Sequence, residues 1–357
     1  MMNSTNNNSC GGSPSSLISR SPEFDQEDAV AELAASVRNT VIEHPAFFAG
    51  IAAIRRCHRM GRFGLDEPGC LLITGVSGSG KSTLRKEYAN LYPCRQTSVG
   101  MEMPVLHLEL PAQPTIKNVA ERILIALGDP LFYRGSAEAM TARIVILLSH
   151  CRVELVILDE FQHFIDHASE KIETKVADWL KHLVNITKVP FVLMGLDRCR
   201  RILQGNEQLR RRFSRQIALE PFSISDKKTR RIFGGLIQSI WGNLPVPVSP
   251  ELSSNSVLLE RMHFATFGLI GYVMTLVSTS VEIMLEESFE CKHPVNPSCQ
   301  LGGAGRPAMR EQFGDVGRLV GRQSREDVFQ IGVGIVPVEL GRLDQAHDGS
   351  RALTGAQ

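Results

Sequence analysis

The chain has 357 residues, 43% of them apolar and 22% charged, with a net charge of +1. That is the composition of a water-soluble globular protein of one large or two smaller domains, and it excludes a global electrostatic pull toward nucleic acid or a membrane. The eight cysteines form no C-x-x-C pair and no zinc-type spacing, which points to reduced thiols in a cytoplasmic protein rather than a disulfide or metal scaffold.

Residues 1–25 are rich in Asn, Ser and Gly and are expected to be a disordered tail with no signal peptide. Helical spacing then runs from Asp25 to Asn39, and a second helix starts at Pro45 and reaches about Met60, so 26–66 is a helical lead-in. Cys70 to Thr74 reads as a buried strand, Val105 to Leu110 as a second one closed by Pro111. Helices follow over Ile116–Leu127 and Ala137–His150. Strand three is Leu155-Val156-Ile157-Leu158 ending in Asp159 and Glu160, and a helix spans Lys171–Thr187 with Trp179 on its apolar face. Pro190–Gly195 is a fourth strand and Ile217–Leu219 a short fifth. The alternation predicts an α/β parallel sheet with helices on both faces over 67–222. After Pro221 the pattern is purely helical, with Thr229–Ile240, Glu251–Ala265 and Phe267–Glu287 forming a C-terminal helical lid over 223–290. Phe267–Leu285 carries Thr275, Ser278, Thr279, Ser280 and Glu282, so it reads as a buried helix and no membrane partner is expected. Residues 291–357 are rich in Gly and Arg and strand-like only over Phe329–Leu340. They read as a poorly ordered tail, frameshifted or read-through, or as a small domain of its own.

Chemistry concentrates at two strand ends. Gly75-Val76-Ser77-Gly78-Ser79-Gly80-Lys81-Ser82 fits G-x-x-x-x-G-K-[ST] and lies between strand one and a helix, with Thr83 next. In that order backbone N–H groups and a helix N-terminus cradle phosphates, Lys81 reaches the β and γ phosphates, and the Ser82 hydroxyl holds Mg²⁺. Asp159 is placed to complete the Mg²⁺ shell and Glu160 to polarise the attacking water, so the implied cofactors are ATP and Mg²⁺. His163 is expected to hydrogen-bond or pack rather than bind metal, and Trp179 to sit in the core. Arg198, Arg200 and Arg201, then Arg210, Arg211, Arg212 and Arg215, form a basic cluster suited to phosphate. Arg212 offered to a neighbour's γ-phosphate would make hydrolysis depend on assembly. A solvated basic face or a DNA-backbone patch is the other reading of this cluster.

The order of these motifs, with His44-Pro45-Ala46-Phe47, Pro111–Thr115, Leu124–Pro130, Asp159-Glu160-Phe161-Gln162-His163, Gln208–Phe213 and Thr266–Gly271, resembles the AAA+ family, and within it the TniB and TnsC transposition ATPases. The resemblance covers about His44 to Glu287. It implies an AAA+ P-loop NTPase that forms an ATP-bound homo-oligomer or filament on double-stranded DNA of any sequence and recruits a transposase and a target-selection protein. It also implies that Arg212 is the finger acting in trans and that Thr115 and Lys117 face DNA. Two departures are visible. Leu196 and Asp197, not a standard polar sensor, follow strand four, and Thr266–Gly271 offers no arginine as a second sensor. Slow, assembly- or DNA-stimulated hydrolysis is therefore expected. The alternatives are a defence or signalling NTPase switch without DNA binding, and a small-molecule P-loop enzyme, for which no acceptor motif is present.

Overall fold

The computed structural model describes residues 22–63, 67–98, 100–112, 114–166, 170–246, 248 and 256–290. The tail at 291–357, with the strand-like stretch Phe329–Leu340, lies outside them, as do residues 1–21.

Three strands are fully buried along their length: β1 (Leu71–Thr74), β5 (Leu155–Asp159) and β6 (Phe191–Gly195). Continuous apolar runs of this kind need cover on both faces, which a parallel sheet between helical layers supplies. With β4 (Val105–Glu109) and β7 (Arg215–Ala218) they form one five-stranded sheet in the order β4-β5-β6-β1-β7, every pairing parallel. β2 (Arg95–Gln96) and β3 (Met101–Glu102) make a separate antiparallel pair.

The helices are α1 (Pro22–Asn39), α2 (Pro45–Arg62), α3 (Lys81–Asn90), α4 (Ile116–Ala126), α5 (Ala137–His150), α6 (His163–Asp166), α7 (Glu170–Thr187), α8 (Arg200–Gln204), α9 (Glu207–Arg212), α10 (Lys227–Gly242), α11 (Ser256–Thr266) and α12 (Ile270–Glu290). Their starts follow local chemistry. Pro45 opens α2 behind His44, whose side chain accepts from the Phe47 amide. Thr115 and Asn118 form a capping box on α4, and Asp226 and Thr229 one on α10. One face of the sheet packs against α4, α5, α7, α8 and α9, with Trp179 8% exposed and its indole donating to Thr141 Oγ1 at 3.0 Å. The other face packs against α2 and α3.

The third core is the lid, built from α10, α11 and α12, and α1 joins it through Val30 and Val37. The stretch read as one lead-in is thus divided: α1 packs on the lid and α2 on the sheet. Most boundaries shift by one or two residues from the sequence reading, and two of the shifts have a local cause. β7 begins at Arg215, two residues before the apolar run, because an edge strand needs no buried side chains at its start. The last helix begins at Ile270 rather than Phe267, because Phe267 (φ +53°) and Gly268 (φ +68°) turn left-handed and end α11. Among the described residues no single helix is long and apolar enough to cross a membrane.

Candidate nucleotide site

The loop between β1 and α3 curls because Gly78 (φ +79°) and Gly80 (φ +93°) occupy backbone conformations that side chains resist. Lys81, at the first turn of α3, folds over it and donates to the carbonyls of Gly75 (2.7 Å) and Val76 (3.0 Å). Burial pulls its pKa below the ordinary lysine value, and Asp159 and Glu160 work against that shift. Ser79 Oγ is buried and has no hydrogen-bond partner among the described residues. A buried hydroxyl without a partner, on a loop that lines a cavity, is a group an incoming phosphate oxygen would satisfy.

Asp159 ends β5 with its side chain 0% exposed. It accepts from Ser82 Oγ at 2.8 Å and Arg85 Nε at 3.1 Å on one oxygen, and from the Glu160 amide at 2.9 Å on the other. Arg85 reaches further, to His107 Nδ1 at 2.8 Å. Sequence reasoning missed Arg85. The only signal was its place on the buried face of α3, beside Lys81, Leu84 and Tyr88. The Ser82–Asp159 pair is a hard-oxygen donor set of the kind Mg²⁺ takes, so the residues present fit that ion.

Glu160 stands at φ +59°, left-handed for a non-glycine residue, at the rim of the cavity. Such strain costs of order 1–3 kcal/mol and collects at functional sites. Its carboxylate accepts from Gln162 Nε2. His163 stays 3.9 Å from it, and Nδ1 of that ring donates to the Leu110 carbonyl at 3.3 Å. No cluster of three or more metal-ligating side chains occurs among the described residues.

A cavity of about 620 Å³ joins these parts. Ser77 to Thr83 and Glu160 form its phosphate end. Val41, Ile42, His44 and Phe47 form an apolar wall, and Ile270, Gly271 and Met274 of the lid close it. The lid is fastened to the loop by the Gly271 amide donating to the Gly78 carbonyl at 2.8 Å. That wall and the lid residues were not among the sequence-predicted site residues.

The remaining candidates lie apart from the loop. Arg212 is 13% exposed, within 3.5 Å of Glu67, and its Nη1 is buried without a hydrogen-bond partner among the described residues. Its carbonyl accepts from Cys70 at the start of β1, so it sits at the opposite edge of the sheet from its own loop. Arg211 pairs with Glu207, and Arg210 is exposed without an ion pair among the described residues. Thr115 caps α4 through its hydroxyl, and Lys117 is exposed two residues further on, in the first turn of α4 after the C-terminal end of β4. Asp197 is 77% exposed and turned to Arg200 Nε at 2.6 Å.

A family model of bacterial TniB proteins matches residues 38–224, just over half of the chain. The protein belongs to the TniB family. Among solved structures, this TniB-family chain is similar to the ORC2 protein of Aeropyrum pernix in its ADPNP–ADP complexes, at 13% identity and a TM-score of 0.50, over 86% of this chain and 72% of that one. It is also similar to the Aeropyrum pernix ORC1 protein in complex with DNA (15% identity, TM-score 0.48, 88% and 84% covered) and to domain III of the Thermotoga maritima replication initiator DnaA (16%, 0.42, 72% and 90%). No curated protein matches by sequence. At such identities the first of these likenesses shows the fold alone: the TniB-family chain has the AAA+ P-loop NTPase fold, a parallel sheet flanked by helices.

Proposed function

We propose that this TniB-family protein binds and hydrolyses ATP as a regulator of DNA transposition. It assembles as an oligomer on target DNA and there recruits a transposase and a target-selection protein. The observation that carries the nucleotide half is the convergence of Lys81, Ser82 and Glu160 on one cavity, with the buried Asp159 carboxylate held directly behind Ser82 Oγ. Family membership supports the transposition half. Backbone amides of Gly78 to Thr83 bind the phosphates, Lys81 leaves its loop carbonyls for the β and γ phosphates, and Ser82 and Asp159 hold Mg²⁺. The ion, when bound, neutralises charge on the phosphates. Glu160 accepts a proton from the attacking water.

The lid helix α12 carries no basic residue, so the charge that stabilises the transition state comes from a neighbouring subunit. Arg212 has that role by resemblance, after release from Glu67, and Arg210 is the exposed competitor. Thr115 and Lys117 track the DNA backbone, and many subunits along a duplex offset the small charge of each.

The test is electron microscopy of the protein with random duplex DNA and a slowly hydrolysed ATP analogue, with turnover measured in parallel. Nucleotide-dependent filaments or rings on DNA are expected, and Lys81→Ala is expected to abolish them. Arg212→Ala should bind nucleotide normally and lose DNA-stimulated turnover. Normal turnover in Arg212→Ala with loss in Arg210→Ala would move the finger to Arg210. Particles indifferent to DNA would favour a nucleotide switch without DNA.

A further inference from the structure

β6 ends at Gly195, and the residues after it, Leu196 and Asp197, leave no polar side chain pointing toward Glu160: Asp197 is committed to Arg200 and to Thr74 Oγ1 at 3.5 Å. The gap is filled from another element. Gln162, only 4% exposed, reaches across from the turn after β5. Its Nε2 donates to Glu160 Oε2, and its Oε1 accepts the Leu196 amide at 3.1 Å. A carboxylate can only accept and an amide N–H can only donate, so this is the one orientation of the side chain that satisfies both ends.

The surroundings hold it there. A Cβ at position 195 would stand 2.5 Å from Gln162 Oε1 and 2.6 Å from Cys199 Sγ, so the amide lies in space that only glycine leaves open. The Phe161 amide ties the same turn to the Met194 carbonyl at 2.9 Å. Lys81 acts on Glu160 through charge alone, and His163 at 3.9 Å is beyond hydrogen-bond reach. Gln162 is therefore the side chain that fixes where the Glu160 carboxylate points.

We infer that Gln162 is the positioning residue of the hydrolytic step: it anchors one oxygen of Glu160 to the end of β6 and leaves the other to accept from the attacking water. The inference rests on the hydrolase reading above. A carboxylate released from this anchor keeps its charge but loses its aim, and a misplacement of about 1 Å costs on the order of 100-fold in rate. Nucleotide binding, which uses the loop amides and Lys81, is left intact.

The experiment measures steady-state ATP turnover with random duplex DNA, and affinity for a fluorescent N-methylanthraniloyl ADP, in the full chain. Gln162→Met keeps the length and removes both hydrogen bonds. Gln162→Glu keeps the acceptor for Leu196 and removes the donor to Glu160. Both are expected to lower kcat by about 10- to 100-fold while KM and ADP affinity stay within about twofold. In a Glu160→Gln background, Gln162→Glu should cost nothing further, because the two act as one unit. Wild-type kcat in either folded variant overturns the inference, as does a loss of ADP affinity equal to the loss of kcat in Gln162→Glu. A wild-type protein with no Glu160-dependent turnover overturns the hydrolase reading and this inference together.

Discussion

Replacing Arg85 by methionine tests how the acidic end of the site is held. Asp159 is wholly buried, and Arg85 is the only full positive charge hydrogen-bonded to it among the described residues. In Arg85→Met the carboxylate keeps the Ser82 hydroxyl and the Glu160 amide, two neutral donors at 2.8 and 2.9 Å. Removing one partner of a buried ion pair costs about 3–5 kcal/mol, because a charge is left without compensation. Arg85 also gives up His107 Nδ1, and the low end, about 3 kcal/mol, is the expected loss. For a protein of this size that is a drop in Tm of about 4–6 °C. The assay is thermal unfolding without nucleotide, repeated with Mg²⁺ and ATP. The added ligands should stabilise Arg85→Met more than wild type, since a metal held by Ser82 and Asp159 would bring positive charge to that carboxylate. Asp159→Asn in the Arg85→Met background removes the unpaired charge and should recover more than half of the loss. A loss under about 1 kcal/mol in Arg85→Met, or no recovery in the double variant, would refute the reasoning.

Gly268→Ala places a Cβ 2.0 Å from the Phe222 carbonyl oxygen at a φ of +68°. It should cost roughly 2–4 kcal/mol and open the lid selectively, seen as early proteolysis within α10 to α12 while the sheet core persists. Acid should also weaken the fold. Burial lowers the pKa of His44, His58 and His107 below the ordinary 6.5, with Arg85 adding to the shift at His107 and Glu154 opposing it at His58. As pH falls through 6.5 the unfolded chain gains protons that the folded chain refuses. Stability is therefore full above that pH and falls below it, by up to about 1.4 kcal/mol per pH unit per histidine. Urea midpoints measured from pH 7.5 to 5.5 check this. A flat profile would contradict it, and His58→Gln should reduce the slope.

The parts of the site legible in the sequence are those whose chemistry sits at the end of an apolar run. Leu71 to Thr74 and Leu155 to Leu158 are buried on both faces, so each strand and the loop or acid pair that ends it stand out in one pass. The parts that were not legible depend on who faces whom across the fold. Arg85 on a helix of mixed polarity looks like any solvated arginine until β4 and β5 close over it. Gln162 carries no periodic signal at all, and its meaning comes from Gly195, 33 residues later. Nothing local says that α1 packs on the lid rather than on the sheet. β2 and β3, two residues each, are too short to show a period. Phe267 continues the apolar pattern of the helix that follows, which hides the left-handed break at Phe267 and Gly268.

The lid meets the nucleotide loop through backbone and shape. The Gly271 amide bonds the Gly78 carbonyl, and the Tyr272 ring lies 3.6 Å from where a Cβ on Gly78 would stand. In the same turn of the lid the Phe222 amide bonds the Gly268 carbonyl at 2.8 Å, and the His263 Nε2 to Phe222 carbonyl contact is also 2.8 Å. Phe222 in turn stacks edge-on with His44, which caps α2 beside the apolar wall of the cavity. The lid thus touches both the loop at Gly78 and, through Phe222, the cavity wall at His44. On the reading proposed above, this divides the labour: the chain's own lid sets whether a nucleotide is enclosed, and a neighbour's arginine sets whether it is cleaved. On that reading the expected outcome is nucleotide bound by the monomer and turned over only in an assembly, and separating nucleotide affinity from turnover in Arg212→Ala measures that division directly.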